Sequence, residues 1–255
     1  MISILKVKFE KKGMFMNNKI AAVILGAGKG TRMKSDLPKV MMPVLGKPMI
    51  RHIIDTLEDM GVDKIVTVIS SDGDLVKKEV APHETCVQQE QLGTGHAVNC
   101  AKDLLKDFDG PVLVIFGDTP LITKQTFLKA AQKVREGYGV VVLGFTPDDP
   151  ARYGRLKMKG NELEKIVEYK DATEQERAIT FCNSGCMAFD GKQLFELLSQ
   201  IGNKNAAGEF YLTDAIEIAR KAGIKCTAIE GNPQEVASAN TREELALLES
   251  YLKNR

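Results

Sequence analysis

Nine short apolar runs separated by amphipathic stretches constrain this chain more than any other feature. They read as strands at 20–25, 64–69, 84–88, 111–116, 139–145, 154–158, 162–168, 179–189 and 224–229. Strands alternating with helices are the pattern of an α/β fold built on a largely parallel sheet. V-L-V-I-F at 112–116 and G-V-V-V-L-G at 139–144 are almost continuously apolar, as strands covered on both faces must be. Helices fall between the runs. Pro48 opens one that ends before Gly61, with Met49, Ile53, Leu57 and Met60 on one stripe. Thr123 caps another, and Thr241-x-x-Glu244 reads as a capping box ahead of Leu245, Leu248 and Leu252.

The first strand ends in a glycine-rich loop, L-G-A-G-K-G-T-R at 25–32. Gly26, Gly28 and Gly30 let the backbone turn sharply and bring its N–H groups near a ligand. Lys29 and Arg32 beside those amides suit a multiply charged phosphate, although the same run read alone is equally a tight turn with exposed charges. It is not a dinucleotide fingerprint, because S-D-L-P-K follows where a helix and a later acidic residue belong. It is not a P-loop either, since no Gly-Lys-Ser/Thr closes it. Pro38 and Lys39 are read as an extended segment that adds a second cation.

Composition excludes several classes. The 255 residues carry a net charge of +1, which removes the electrostatic case for nucleic-acid or membrane-surface binding. No apolar run is long enough to span a bilayer. Five scattered cysteines and three dispersed histidines offer no zinc pattern, and reduced thiols in a cytoplasmic protein are the expectation. Residues 1–15 read as an extension outside the fold, disordered or ahead of a true start at Met16. Residues 16–255 read as one domain, with a nucleotide-binding half at 16–145, a sugar-facing half at 146–235, and a closing segment at 236–255.

Two further segments point to a site. Q-Q-E-Q-L-G-T-G-H-A at 88–97 follows a strand and opens a helix. Its Gln and Thr side chains offer the donors and acceptors that read a base edge, although a glycine-rich turn has the same appearance. Asp118 stands at the carboxyl end of a buried strand, where open α/β sheets bind ligands, and a rigid carboxylate there suits Mg²⁺. Asn240 is the candidate partner, aimed by the alternation Val236, Ser238, Asn240. Its bland role is at the start of the last helix. Asp72-Gly73-Asp74 reads as a solvated turn.

L-G-A-G-K-G-T-R-M-x-S-D-L-P-K, Q-x-E-Q-L-G-T-G-H-A, G-D-T-P-L, Y-G-R, I-V-E-Y-K-D-A-T, N-S-G and N-A-A-G-E-F-Y-L-T-D occur in this order between about 25 and 245. Together they resemble the bacterial N-acetylglucosamine-1-phosphate uridylyltransferases, within the sugar-nucleotide pyrophosphorylases. The resemblance implies a Rossmann-like, doubly wound mixed sheet of the sugar-nucleotidyltransferase type, with UTP and N-acetylglucosamine 1-phosphate as substrates and Mg²⁺ as cofactor. It implies that Leu25, Gly26, Ala27 and Gly28 line the nucleotide, with Arg32 and Lys39 on its phosphates as the catalytic cations. Gln88, Gly93 and Thr94 would contact uracil. Asp118 and Asn240 would hold Mg²⁺, with Phe116 and Gly117 beside them on the substrate. Gly154, Glu168 and Asn183 would bind the N-acetylhexosamine phosphate.

Departures from the family pattern bear on these roles. Phe116 replaces Tyr, Ser184 replaces Thr, and Gly26 replaces Ala, which is expected to loosen the loop. Ser238 replaces a Gly and would be strained if that position needs a positive φ. The family's left-handed β-helix, which carries acetyl transfer and trimer contacts, has no counterpart before Arg255. That leaves a single-function enzyme or a truncated one, and leaves the oligomeric state open. The same residues also admit a nucleotidyltransferase for another nucleotide or hexose 1-phosphate, or a non-catalytic nucleotide-sugar sensor.

Overall fold

All nine expected strands join one mixed sheet. The computed structural model describes residues 18–28, 35 and 37–254, so the 1–15 extension and Arg32 lie outside the described residues. In chain order the elements are β1 (Ala21–Leu25), a two-residue-per-arm hairpin of β2 (Pro43–Val44) and β3 (Lys47–Pro48), and α1 (Met49–Met60). Then come β4 (Lys64–Ser70), α2 (Asp74–Glu79), β5 (Glu84–Gln88), α3 (Thr94–Asn99) and α4 (Lys102–Leu105). Next are β6 (Pro111–Phe116), α5 (Lys124–Arg135), β7 (Val140–Phe145), β8 (Arg155–Lys159), β9 (Glu162–Val167) and α6 (Glu174–Arg177). The chain closes with β10 (Cys182–Asp190), α7 (Gly191–Ser199), α8 (Ala215–Lys221), β11 (Cys226–Glu230) and α9 (Arg242–Lys253).

The strand order is β11-β7-β10-β6-β1-β4-β5, with β8 joining β10 and β9 joining β8. β1, β4, β5 and β6 run parallel, while β10 lies antiparallel between β6 and β7. The chain therefore reverses its direction of winding at β1, and a crevice opens beyond the carboxyl ends of β1 and β6.

Alternation along the strands feeds two cores. Ala21, Val23 and Leu25 face one side of the sheet with Val112, Val114, Leu194 and Ile216. Ala22 and Ile24 face the other with Leu113, Ile115, Ile53, Ile54 and Phe127. Both faces are covered over β1, β6 and β7, which is why these strands are apolar at nearly every position.

The expected caps form. Pro48 precedes α1, and Gly61 ends it in the left-handed region at φ 70°. Thr123 accepts the Thr126 N–H, and Thr241 and Glu244 complete a capping box. α9 packs through Leu248 onto Val44, Met49 and Leu121, closing the hairpin side of the crevice.

Among the described residues no helix is long and apolar enough to cross a membrane. All five cysteines are free, and burial pushes the Cys86 thiol up to about 12, well away from a reactive thiolate.

Candidate active site

Two adjoining cavities lie over the carboxyl ends of the strands. The first, of about 300 Å³, takes in Leu25, Ala27, Gly28, Gln88, Gly93 and Thr94. The second, of about 440 Å³, takes in Gly154, Glu168, Asn183, Thr213 and Asn240. Lys39, Thr94, Phe116, Asp118 and Glu209 line both.

The wall of the first cavity is made by ladders that continue past the strands. Leu25 pairs with Val68 on one side and Phe116 on the other. Beyond it the Gly26 N–H donates to Val68 O at 2.8 Å, and the Gly117 N–H donates to Leu25 O at 2.9 Å. Gly26 is thus buried and paired like a strand residue, and a Cβ there would sit 3.2 Å from Val68 O. It is a paired residue of the β1 exit; loop residues 29–34, on which the expected loosening falls, lie outside the described residues. Neither Gly26 nor Gly117 lines either of these two cavities. At Gly117 a Cβ would meet Val40 Cγ1 at 2.8 Å, so its role is close backbone approach beneath the site.

The opposite wall is the 88–95 loop. Gln91 Nε2 donates to Ala27 O, tying it to the glycine loop. Gly93 caps α3 at φ 115°, and a Cβ there would lie 2.7 Å from Phe210 O. Only glycine meets both demands. The Phe210 N–H donates to Leu92 O, the Gly95 N–H donates to Phe210 O, and the Leu212 N–H donates to Thr94 Oγ1 at 3.0 Å. The 209–212 segment is thereby stitched to this loop.

Where the cavities meet, three side chains from distant parts of the chain converge. Lys39 does not lie on an extended segment. Pro38 is extended, but Lys39–Met41 forms a 3-10 turn, with the Met41 N–H donating to Pro38 O at 2.8 Å. The turn points the Lys39 ammonium at Asp118 Oδ2 and, at 2.8 Å, at Asn240 Oδ1. The Lys39 and Asp118 side chains are only 14% and 19% exposed.

Asn240 precedes the N-cap of α9, and its backbone N–H donates to Glu244, so the helix start and the site share this residue. The 236–240 segment is not a strand; the capping box aims Asn240, not alternation. Ser238 does not take a positive φ, so its replacement of glycine brings no backbone strain.

A carboxylate and an amide oxygen converging on one cation form a hard donor pair that fits Mg²⁺. Among the described residues no group of three or more His, Cys, Asp or Glu is placed to hold a metal ion. The protein therefore offers a partial shell of the kind Mg²⁺ completes with water and phosphate oxygens.

Side-chain bracing builds the second cavity. Glu168 Oε1 accepts from Thr213 Oγ1 at 3.2 Å. Burial pushes its carboxyl above the ordinary range; the Thr213 hydrogen bond opposes this, and Asp171 and Asp214 add to it. Asn183 sits at the start of an irregularity in β10. Its N–H donates to Gly154 O at 2.8 Å, and its Oδ1 accepts from the Gly185 N–H at 2.9 Å. The Phe116 ring packs on Gly185, where a Cβ would fall 2.4 Å from it. Ser184 Oγ donates to Leu143 O at 2.7 Å, so this replacement for threonine spends its hydroxyl proton on the backbone.

Arg155, buried at 2% exposure, was not singled out from sequence. Its guanidinium donates to the carbonyls of Pro150, Ala151, Tyr153 and Arg177. It thereby holds Ala151 in the left-handed region at φ 39° and sets the loop that carries Gly154. Gln91, Glu209 and Thr213 were also missed, although Q-L-G-T-G and G-E-F-Y-L-T-D contain them.

Comparison with known proteins identifies the family and the fold. The MobA-like NTP transferase domain family matches residues 22–180. The chain is 48% identical over 241 residues to the bifunctional protein GlmU of Paramagnetospirillum magneticum, covering 94% of this chain and 54% of that protein. It is 50% identical over 239 residues to the bifunctional protein GlmU of Rhodospirillum rubrum, covering 93% and 54%. The chain thus spans about half the length of the curated relatives it matches. A solved UDP-glucose pyrophosphorylase in complex with UDP-glucose shares the fold at TM-score 0.71 and 21% identity, over 93% of this chain and all of that one.

Proposed function

From its place in the MobA-like NTP transferase family, to which this chain belongs, we propose that it transfers the uridylyl group of UTP to N-acetyl-α-D-glucosamine 1-phosphate. The products are UDP-N-acetylglucosamine and pyrophosphate. The observation that carries this reading is the seam. A cavity walled by backbone and base-reading side chains meets one walled by Glu168 and Asn183, and Lys39, Asp118 and Asn240 converge near where they join. A nucleotide in the first and a sugar in the second bring their phosphates together at that point. The 16–145 half then serves the nucleotide, 146–235 the sugar, and 236–255 supplies Asn240.

An oxygen of the sugar phosphate attacks the α-phosphorus in line, and the bond to the pyrophosphate oxygen breaks. No protein nucleophile takes part. Both reactants are anions, so the chain's task is alignment and charge compensation. Gln88, Gly93 and Thr94 hold the base, while Leu25, Ala27 and Gly28 follow the nucleotide. Gly26 and Gly117 support these from below. Glu168, Asn183 and Gly154 orient the sugar beside Phe116. Lys39 offers an ammonium to the phosphates, and Arg32, outside the described residues, is assigned the same role from its motif. Mg²⁺ held by Asp118 and Asn240 supplies the divalent charge that lowers phosphate–phosphate repulsion. The reading carries a cytoplasmic location, with no nucleic-acid or membrane partner.

The test is pyrophosphate release over a matrix of four nucleoside triphosphates and several sugar 1-phosphates, with and without Mg²⁺. The reading requires release with UTP and N-acetylglucosamine 1-phosphate, dependent on the metal. Release only with another pair would reassign the substrates. Nucleotide-sugar binding without any release would make the chain a sensor.

A further inference from the structure

Gln88 closes β5 at 4% exposure and lines the first cavity. Its Nε2 lies 3.2 Å from the Gly93 carbonyl oxygen and 3.1 Å from His96 Nδ1. A carbonyl oxygen only accepts, so the edge of the amide turned toward Gly93 is the NH₂ group. That group has two hydrogens, and these two acceptors use both. His96 Nδ1 is therefore the unprotonated ring nitrogen, with its proton on Nε2. The His96 ring is itself placed by α3 and by the tilted Phe210 ring, 6.4 Å away between centroids. With both amide hydrogens spoken for, Oε1 is the hydrogen-bonding atom that Gln88 keeps for a ligand, and it is an acceptor.

We propose that His96 is a positioning residue for base selection: it locks the Gln88 amide so that a carbonyl oxygen reads the base, and so favours uracil over cytosine. Uracil presents a ring N3–H donor to such an acceptor. Cytosine presents a bare N3 lone pair at the same place, leaving two acceptors opposed and desolvated. Without His96 the Gly93 carbonyl still holds one amide hydrogen, but the second is freed and the lock is lost. The inference rests on the first cavity being the nucleotide site.

The experiment compares kcat/KM for UTP and CTP, each with N-acetylglucosamine 1-phosphate, in wild type, His96→Phe and His96→Asn. Phenylalanine keeps a ring and removes the acceptor, whereas asparagine Oδ1 restores an acceptor near the Nδ1 position. His96→Phe is expected to lower the UTP-over-CTP preference at least about tenfold, and His96→Asn to keep it within about threefold. His96→Leu replaces the phenylalanine variant should that protein not fold.

The ratio of UMP to CMP dissociation constants, measured by calorimetry, is read in parallel and is expected to follow the same pattern. An unchanged preference in His96→Phe, or an equal loss in His96→Asn, overturns the proposal. If wild type releases no pyrophosphate from any pair, the proposed reaction fails. The UMP-to-CMP ratio then still decides the role of His96.

Discussion

The two cavities share Asp118 but are built by different means. The first is framed by backbone: parallel ladders run one residue beyond β1, and Gly93 fits where a Cβ would strike Phe210. The second is framed largely by side chains: Arg155 gathers four carbonyls, Thr213 restrains Glu168, and Asn183 Oδ1 accepts from the Gly185 N–H. Backbone framing fixes a site through shape and punishes added volume. Side-chain framing fixes it through hydrogen bonds and punishes lost polarity. The first mode suits a ligand portion recognised by a few edges, and the second suits a sugar ring covered with hydroxyls.

The largest expected effect falls on neither wall but on the seam. Asp118→Ala should lower kcat on the order of 10²–10³-fold with a melting temperature near wild type. Near-normal turnover in Mg²⁺ would remove the seam from the comparison.

Next is Arg155→Met, which leaves four loop carbonyls without their guanidinium donor and should cost about 1–3 kcal/mol of stability. The KM for the sugar phosphate should rise much more than that for UTP. A loss shared equally by both substrates would mean that Arg155 braces the whole fold and not the second wall.

A smaller effect concerns Glu168. Burial raises its carboxyl above the ordinary value of 4.5, so the protonated form favours the fold. That contribution is complete below the unfolded value and is lost as pH rises through the folded one. The melting temperature of Glu168→Gln relative to wild type should therefore climb as pH rises above about 4.5. A difference that fell with rising pH would contradict the stated environment. Smallest of all is Gly26→Ala. Its Cβ contact at 3.2 Å is offset by the entropy alanine removes from the unfolded chain, so stability should stay within about 1 kcal/mol. A larger loss would show that the β1 exit has no slack.

The same contrast explains what the sequence discloses. Strands buried on both faces declare themselves as apolar runs, and Thr123, Gly61 and Thr241 declare helix ends, because these features are local. That β10 runs antiparallel between β6 and β7 is not local, since a period of two is the same in either direction. The grouping of Asp118 with Asn240 was legible through donor chemistry and the family resemblance, but the route by which the α9 capping box aims Asn240 was not. Arg155 stands in Y-G-R, but its bracing role stayed hidden for a plainer reason. Its partners are main-chain carbonyls, which every residue has and no sequence pattern marks.

On the proposed reading one ligand spans two differently framed cavities. Calorimetric titration of wild type, Gly93→Ala and Glu168→Gln with UMP and with UDP-N-acetylglucosamine tests it most directly. Gly93→Ala is expected to weaken both ligands. Glu168→Gln is expected to weaken UDP-N-acetylglucosamine about tenfold or more and leave UMP unchanged. Equal weakening of UMP by Glu168→Gln, or no effect of it on either ligand, would contradict the account.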